Sequence, residues 1–196
     1  MSAEISKINR QRIVAAFPDY LQQDAEVVAD FLLNRNLDLH PSLHQEVSLL
    51  GQKLTIPGRI YSELPLEEAT SMLSAVQQAI LNCLFLRHHN GFVRQKCLER
   101  LVDINEYFIT PFVVSLLGEY VIEILFVADK VINSNTVDNY IAFIVKNTEY
   151  WDKTKSRVIS YWNEYYRRNR YEDIREYIGM QIANRLDKAK WQSGVG

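Results

Sequence analysis

The chain has 196 residues, of which 47% are hydrophobic and 23% charged, and a net charge of −2. That length supports one sizeable core or two small ones, and that composition excludes wholesale disorder. Seven Gly and five Pro are few for this length, which argues against an all-β fold built on many tight turns.

The charge is unevenly spread. Residues 151–196 hold ten Lys and Arg against six Asp and Glu, whereas residues 1–150 hold twelve against eighteen. This polarity is too small to name nucleic acid as a partner by itself. Charges interrupt the N-terminal segment throughout, so a signal peptide or anchor is not expected there. The longest apolar runs are broken by Glu119, Glu123 and Asp129, so no membrane span is expected. Cys83 and Cys97 sit in helical apolar patterns and read as reduced core residues, which makes the cytoplasm the expected compartment.

The predicted elements are helical almost throughout. Ile5, Ile8, Ile13, Val14 and Phe17 fall at near-helical spacing over residues 2–16, and Pro18 stops the run. Tyr20, Leu21, Val27, Val28, Phe31 and Leu32 predict a second helix over 19–34. A third is expected after Pro41, with Leu43, Val47, Leu49 and Leu50 as its apolar positions and Gly51 as its cap. Residues 53–61 break the helical pattern. They place Pro57-Gly58 between two short extended pieces, a small hairpin or an ordered loop.

Pro65 and the acids Glu67 and Glu68 open a long helix to about residue 87. After the turn Asn90-Gly91, a stripe of Phe92, Val93, Cys97, Leu98 and Leu101 predicts the next helix. Pro111 opens an apolar helix to about residue 132, expected to be central and buried on most sides. Val137, Tyr140, Ile141, Ile144 and Val145 mark another helix, and Val158, Ile159, Trp162 and Tyr165 a further one. Ile174, Tyr177, Ile178, Ile182 and Leu186 mark the last, with fraying after Lys190. The expectation is one all-α domain over 1–196, of about nine helices in stacked antiparallel pairs. A subdivision into 1–64 and 65–190 is the alternative.

The segment Arg87-His-His-Asn-Gly-Phe-Val-Arg-Gln-Lys-Cys-Leu-Glu-Arg-Leu resembles one unit of a HEAT-type helical repeat, in which a turn leads into a helix reading Val-Arg-x-x-Ala-x-x-x-Leu. Val93, Arg94 and Leu101 match, and Cys97 stands where a small apolar residue is usual. Similar pairs at Phe92-Val93, Tyr120-Val121 and Tyr140-Ile141 lie 28 and then 20 residues apart, which is not a constant period. The resemblance covers about residues 65–145. It implies a scaffold that binds proteins or nucleic acid across a concave face, and it carries no catalytic residues. A regular α-solenoid and an irregular bundle both remain open.

Several side-chain groups carry chemistry. Glu119 and Glu123 are four apart, so one helix would place both on one face. Such a pair can bind a metal or work as acid and base. No His follows either at the spacing a di-metal carboxylate site needs, so the expectation is ion pairing with Arg87 or Arg94. His40 with His44, and His88 with His89, match no closed zinc site, and no metal or cofactor is expected. No nucleophile elbow, phosphate loop or dinucleotide fingerprint occurs. Residues 161–171 combine aromatics with Arg167, Arg168 and Arg170, as single-strand nucleic-acid binders do; but Trp162 and Tyr165 fall on the apolar stripe and read as core.

The leading functional expectation is a non-catalytic protein-interaction module, of inhibitor or immunity type, with another protein as partner. Arg59, Tyr61, His88 and His89 are the candidate partner-binding residues, because their loop and turn are least explained by core packing. The alternatives are a nucleic-acid-associated protein using Arg167–Arg170 and a helical enzyme around Glu119 and Glu123.

Overall fold

The structure, a computed structural model, describes residues 3–35, 37, 39 and 44–194. Among these residues are ten α-helices and one two-stranded antiparallel hairpin, so the fold is all-α with one short hairpin. The chain divides into two compact units, Met1–Leu101 and Val102–Gly196. No helix among the described residues is long and apolar enough to cross a membrane.

In the first unit α1 (Ala3–Val14) packs on α2 (Gln22–Leu33), α2 on α4 (Ala75–Phe85), and α4 on α5 (Gly91–Glu99). Ala25, Val28, Ala29 and Leu32 supply the buried stripe of α2 at helical spacing. Along α1 the expected stripe is only partly used, since Ile13 is buried while Ile5 and Ile8 are exposed.

The helix expected after Pro41 is not formed over its described part. His40, Pro41 and Leu43 lie outside the described residues. From residue 45 the chain instead runs as β1 (Gln45–Leu49), paired antiparallel with β2 (Gln52–Ile56). Val47, Leu49, Leu54 and Ile56 all face inward and are buried. That alternation of period two wins over the helical reading. The hairpin turn is therefore Leu50-Gly51, and Pro57-Gly58 lies just beyond the second strand. Both turn residues have positive φ, 52° and 77°, as a two-residue turn matching strand twist requires. The hairpin is tied to the end of α1 by the Thr55 N–H, which donates to the Ala15 carbonyl at 2.8 Å.

The long helix expected over 66–87 is also two pieces, α3 (Glu67–Thr70) and α4. Ser74 restarts the helix through a capping box: Gln77 N donates to Ser74 Oγ at 3.2 Å, and Ser74 N to Gln77 Oε1 at 3.0 Å.

In the second unit α6 (Thr110–Leu117) is buried along its whole length and touches α7 (Ile122–Val131), α8 (Val137–Lys146) and α9 (Thr148–Tyr161). Helix α10 (Ile178–Gln192) packs on α7, α8 and α9. The expected central helix over 111–132 is thus broken at residues 118–121. Gly118 ends α6, and an added Cβ there would lie 3.0 Å from the Cβ of Arg157 on α9. Glycine lets that arginine cross the break closely. After α9 the helix widens to a π-turn over Trp162–Tyr166, with the Arg167 N–H donating to the Trp162 carbonyl at 2.9 Å.

Candidate functional site

Arg59, Tyr61, His88 and His89, chosen from sequence as poorly explained by packing, come together in the first unit. Ile60 joins their two segments: its N–H donates to the Arg87 carbonyl at 3.0 Å, and its carbonyl accepts from His89 N–H at 2.9 Å. This short parallel bridge lays the chain after Pro57-Gly58 against the turn between α4 and α5. Arg87 strengthens it through Nε, which donates to the Pro57 carbonyl at 3.2 Å.

The two histidines do different things. His88 is buried and both of its ring nitrogens meet backbone. Nδ1 accepts from Asn90 N–H at 3.0 Å, so Nε2 carries the proton and donates to the Ser62 carbonyl at 2.9 Å. Burial, the nearby His89 and the Arg94 charge hold the His88 pKa below the ordinary imidazole value. His89 is exposed, and Tyr61 stacks on its ring with centroids 5.2 Å apart. The two imidazoles lie 4.3 Å apart, and His88 stacks in turn on Phe85.

Arg94 is the buried support of this turn. Its Nη1 donates to the carbonyls of His88 at 2.7 Å and His89 at 2.9 Å, and Arg59 Nη1 also reaches the His88 carbonyl at 3.4 Å. Two carbonyls past the end of α4 are therefore held by arginine side chains. Asn90 caps α5 by accepting from Phe92 N–H at 2.9 Å.

Phe92, expected on the apolar stripe of its helix, lies outside the core. Phe92 is 84% exposed, and only Arg94, Cys97 and Leu98 of α5 are buried. One turn on from Phe92, Lys96 pairs with Glu67, next to the exposed Leu66; Arg100 pairs with the same carboxylate. Phe92 stands in the first turn, two residues after the Asn90 cap, where the stripe has not yet turned inward.

This cluster is held by hydrogen bonds to backbone. His88 has no free ring nitrogen. Burial pushes the Cys97 thiol up to about 12 and the Cys83 thiol well above its usual range, so neither supplies a thiolate. Among the described residues no three His, Cys, Asp or Glu group as metal ligands. Glu119 and Glu123 do not share a helix: Glu119 is buried in the break after α6, and Glu123 is exposed in the first turn of α7. The expected one-face carboxylate pair is lost with the continuous helix.

The second candidate group lies in the second unit. Arg167 sits over the Trp162 ring, 5.4 Å from its centroid, and donates to Asn163 Oδ1 at 3.1 Å. Arg170 lies over Tyr171 at 5.4 Å, and Arg168 is exposed. Trp162 is half-buried, with Nε1 donating to the Tyr171 carbonyl at 2.8 Å. Tyr165, expected in the core, is 49% exposed. The widened π-turn removes it from the inward stripe, since one extra residue per turn rotates every later side chain.

Comparison with protein-family models, curated proteins and solved structures finds no match.

Proposed function

We propose that this chain is a non-catalytic interaction module that binds another protein through Arg59, Tyr61, His89 and Phe92. The observation that carries the reading is an exposed aromatic surface standing on immobilised backbone. Tyr61 stacked on His89 meets solvent, and Phe92 is exposed three residues on, in the first turn of α5, while His88, Arg94 and the Ile60 bridge fix the chain beneath. Rigid aromatic anchors lose little freedom on binding. Tyr and Arg are also the residue types that concentrate binding energy in protein interfaces. The resemblance of residues 87–101 to a HEAT-type unit points the same way. A binding protein of inhibitor or immunity type works by such surface occupation, and two unpaired buried cysteines accord with the cytoplasm.

The test captures partners from native lysate with the tagged full chain and with Tyr61→Ala/His89→Ala/Phe92→Ala, and identifies them by mass spectrometry. The expected result is a protein recovered by the wild type and reduced at least about tenfold with the variant, whose circular dichroism is unchanged. Equal recovery by a folded variant would move the surface elsewhere. Absence of any saturable protein partner for the wild type would overturn the reading.

A further inference from the structure

The second unit carries a separate surface of different chemistry. Tyr120, Tyr161 and Tyr165 form a triangle of rings, with centroid separations of 6.1, 5.7 and 6.0 Å. Two come from the last turns of α9 and its π-extension, four residues apart. The third comes from the break between α6 and α7, fixed there by the Tyr166 hydroxyl, which donates to the Tyr120 carbonyl. Tyr120 and Tyr165 are about half exposed, at 48% and 49%. Core packing does not explain two exposed tyrosines meeting a half-buried third at the surface.

Arginines flank these tyrosines along the chain. Arg157 precedes Tyr161 by one helical turn and lies across Gly118, two residues before Tyr120. Arg167 and Arg168 follow Tyr165 and, with Asn163 and Glu164, line a cavity of about 440 Å³ on the π-turn. Among the described residues Arg157, Arg167, Arg168 and Arg170 pair with no carboxylate, whereas Arg10, Arg100, Arg175 and Arg185 all do. Between residues 156 and 171 the only acid is Glu164. The unit therefore carries guanidinium groups that pair with no carboxylate within a few residues of its exposed rings along the chain, although its overall charge is close to neutral.

The geometry points to a binding face for single-stranded nucleic acid, in which bases stack on Tyr120 and Tyr165 while Arg157, Arg167 and Arg168 hold phosphates. Each half of that chemistry matches one half of the surface. Ring faces stack with any unpaired base, and a free guanidinium donates two parallel hydrogen bonds to phosphate oxygens. A duplex keeps its base faces stacked inside, so it meets only the arginines. The inference is independent of the first unit's surface.

The test uses the full chain and fluorescently labelled twenty-nucleotide oligo(dT), oligo(U) and duplex DNA, followed by anisotropy between about 50 and 200 mM salt. Single strands are expected to bind more tightly than duplex. Tyr165→Ala should weaken single-strand binding about tenfold, and Tyr165→Phe should retain it. Arg167→Ala/Arg168→Ala should lower the slope of log affinity against log salt by roughly one to two. Thermal melting checks that each variant folds; should Tyr165→Ala not fold, the Phe and Arg variants still decide. No binding of either strand at 50 mM salt overturns the proposal. So does duplex binding as tight as single-strand binding, with Tyr165→Ala without effect, which would reduce the surface to charge alone. Preference for an acidic polypeptide such as polyglutamate over oligo(dT) overturns it in favour of a protein ligand.

Discussion

His88 is held by backbone at both ring nitrogens, and this fixes its protonation state as well as its place. Nδ1 accepts from Asn90 N–H, so a proton added there would point at another donor. Burial opposes the charged ring further, and the folded pKa lies below the ordinary 6.5. The sign of the linkage follows. As pH falls below about 6.5 the unfolded chain binds a proton that the folded chain does not, so stability is lost toward acid. The stabilisation is fully present above the ordinary value. The urea midpoint of the first unit is expected to fall between pH 7.5 and pH 5, and His88→Asn should flatten that component. Asn keeps a short acceptor for Asn90 and has no titrating group. Parallel pH profiles for the two proteins would show that His88 is not the titrating group.

At the scale of elements, two positions store opposite lessons about backbone. Leu50 has φ of 52° at the first position of the hairpin turn, where a side chain other than that of Gly, Asn or Asp is disfavoured. Its side chain is 57% exposed and loses little packing if replaced. Leu50→Asn should therefore stabilise the hairpin by about 1 kcal/mol, seen as a higher urea midpoint. Gly179 in α10 is the reverse case. A Cβ there would lie 2.9 Å from the Tyr177 ring, 3.2 Å from Val158 and 3.3 Å from Leu125. Gly179→Ala adds helix propensity but overpacks a helix crossing, and overpacking at about 1–3 kcal/mol outweighs a propensity gain of about 1 kcal/mol. A raised melting temperature for this variant would show that α10 can shift away without loss. The same elements mark what the sequence made legible. Apolar stripes at helical spacing located α2, α8 and the core of α10, because a single face decides those helices. The stripe did not separate Val47 and Leu49 of β1 from a helix, because two apolar residues two apart fit either period when Leu50 follows. The breaks at Ser74 and Gly118 went unread, because helical apolar spacing runs on through both and the expectation carried one helix across each. The rings of Tyr120 and Tyr161 were unreadable as a pair, because only the break after Gly118 brings residues forty-one positions apart together. Tyr61 and His89 were readable singly, as residues the core had no use for, but not their stacking.

At the scale of the whole chain, the natural reporters are sorted between the units. Both cysteines, Cys83 and Cys97, lie in the first, and all three tryptophans, Trp151, Trp162 and Trp191, lie in the second. Each unit can therefore be followed without labels placed by mutation. Cys83 and Cys97 have no exposed surface, and burial keeps both thiols protonated at neutral pH. A thiol reagent should react with neither in the native protein and with both in denaturant, so labelling measures opening of the first unit. In the second unit Trp151 is 2% exposed, with Nε1 donating to Asp187 Oδ1 at 2.7 Å, while Trp191 is 88% exposed. Iodide should quench the red-shifted Trp191 emission and leave a blue-shifted Trp151 component that persists until that unit unfolds. Removing Trp191 by Trp191→Phe should abolish most of the quenchable fraction without moving the urea midpoint, because its ring buries almost nothing. Native thiols that label at the denatured rate would mean that α4 and α5 do not close over Cys83 and Cys97. Trp151 emission fully open to iodide would mean that α9 and α10 do not cover that ring.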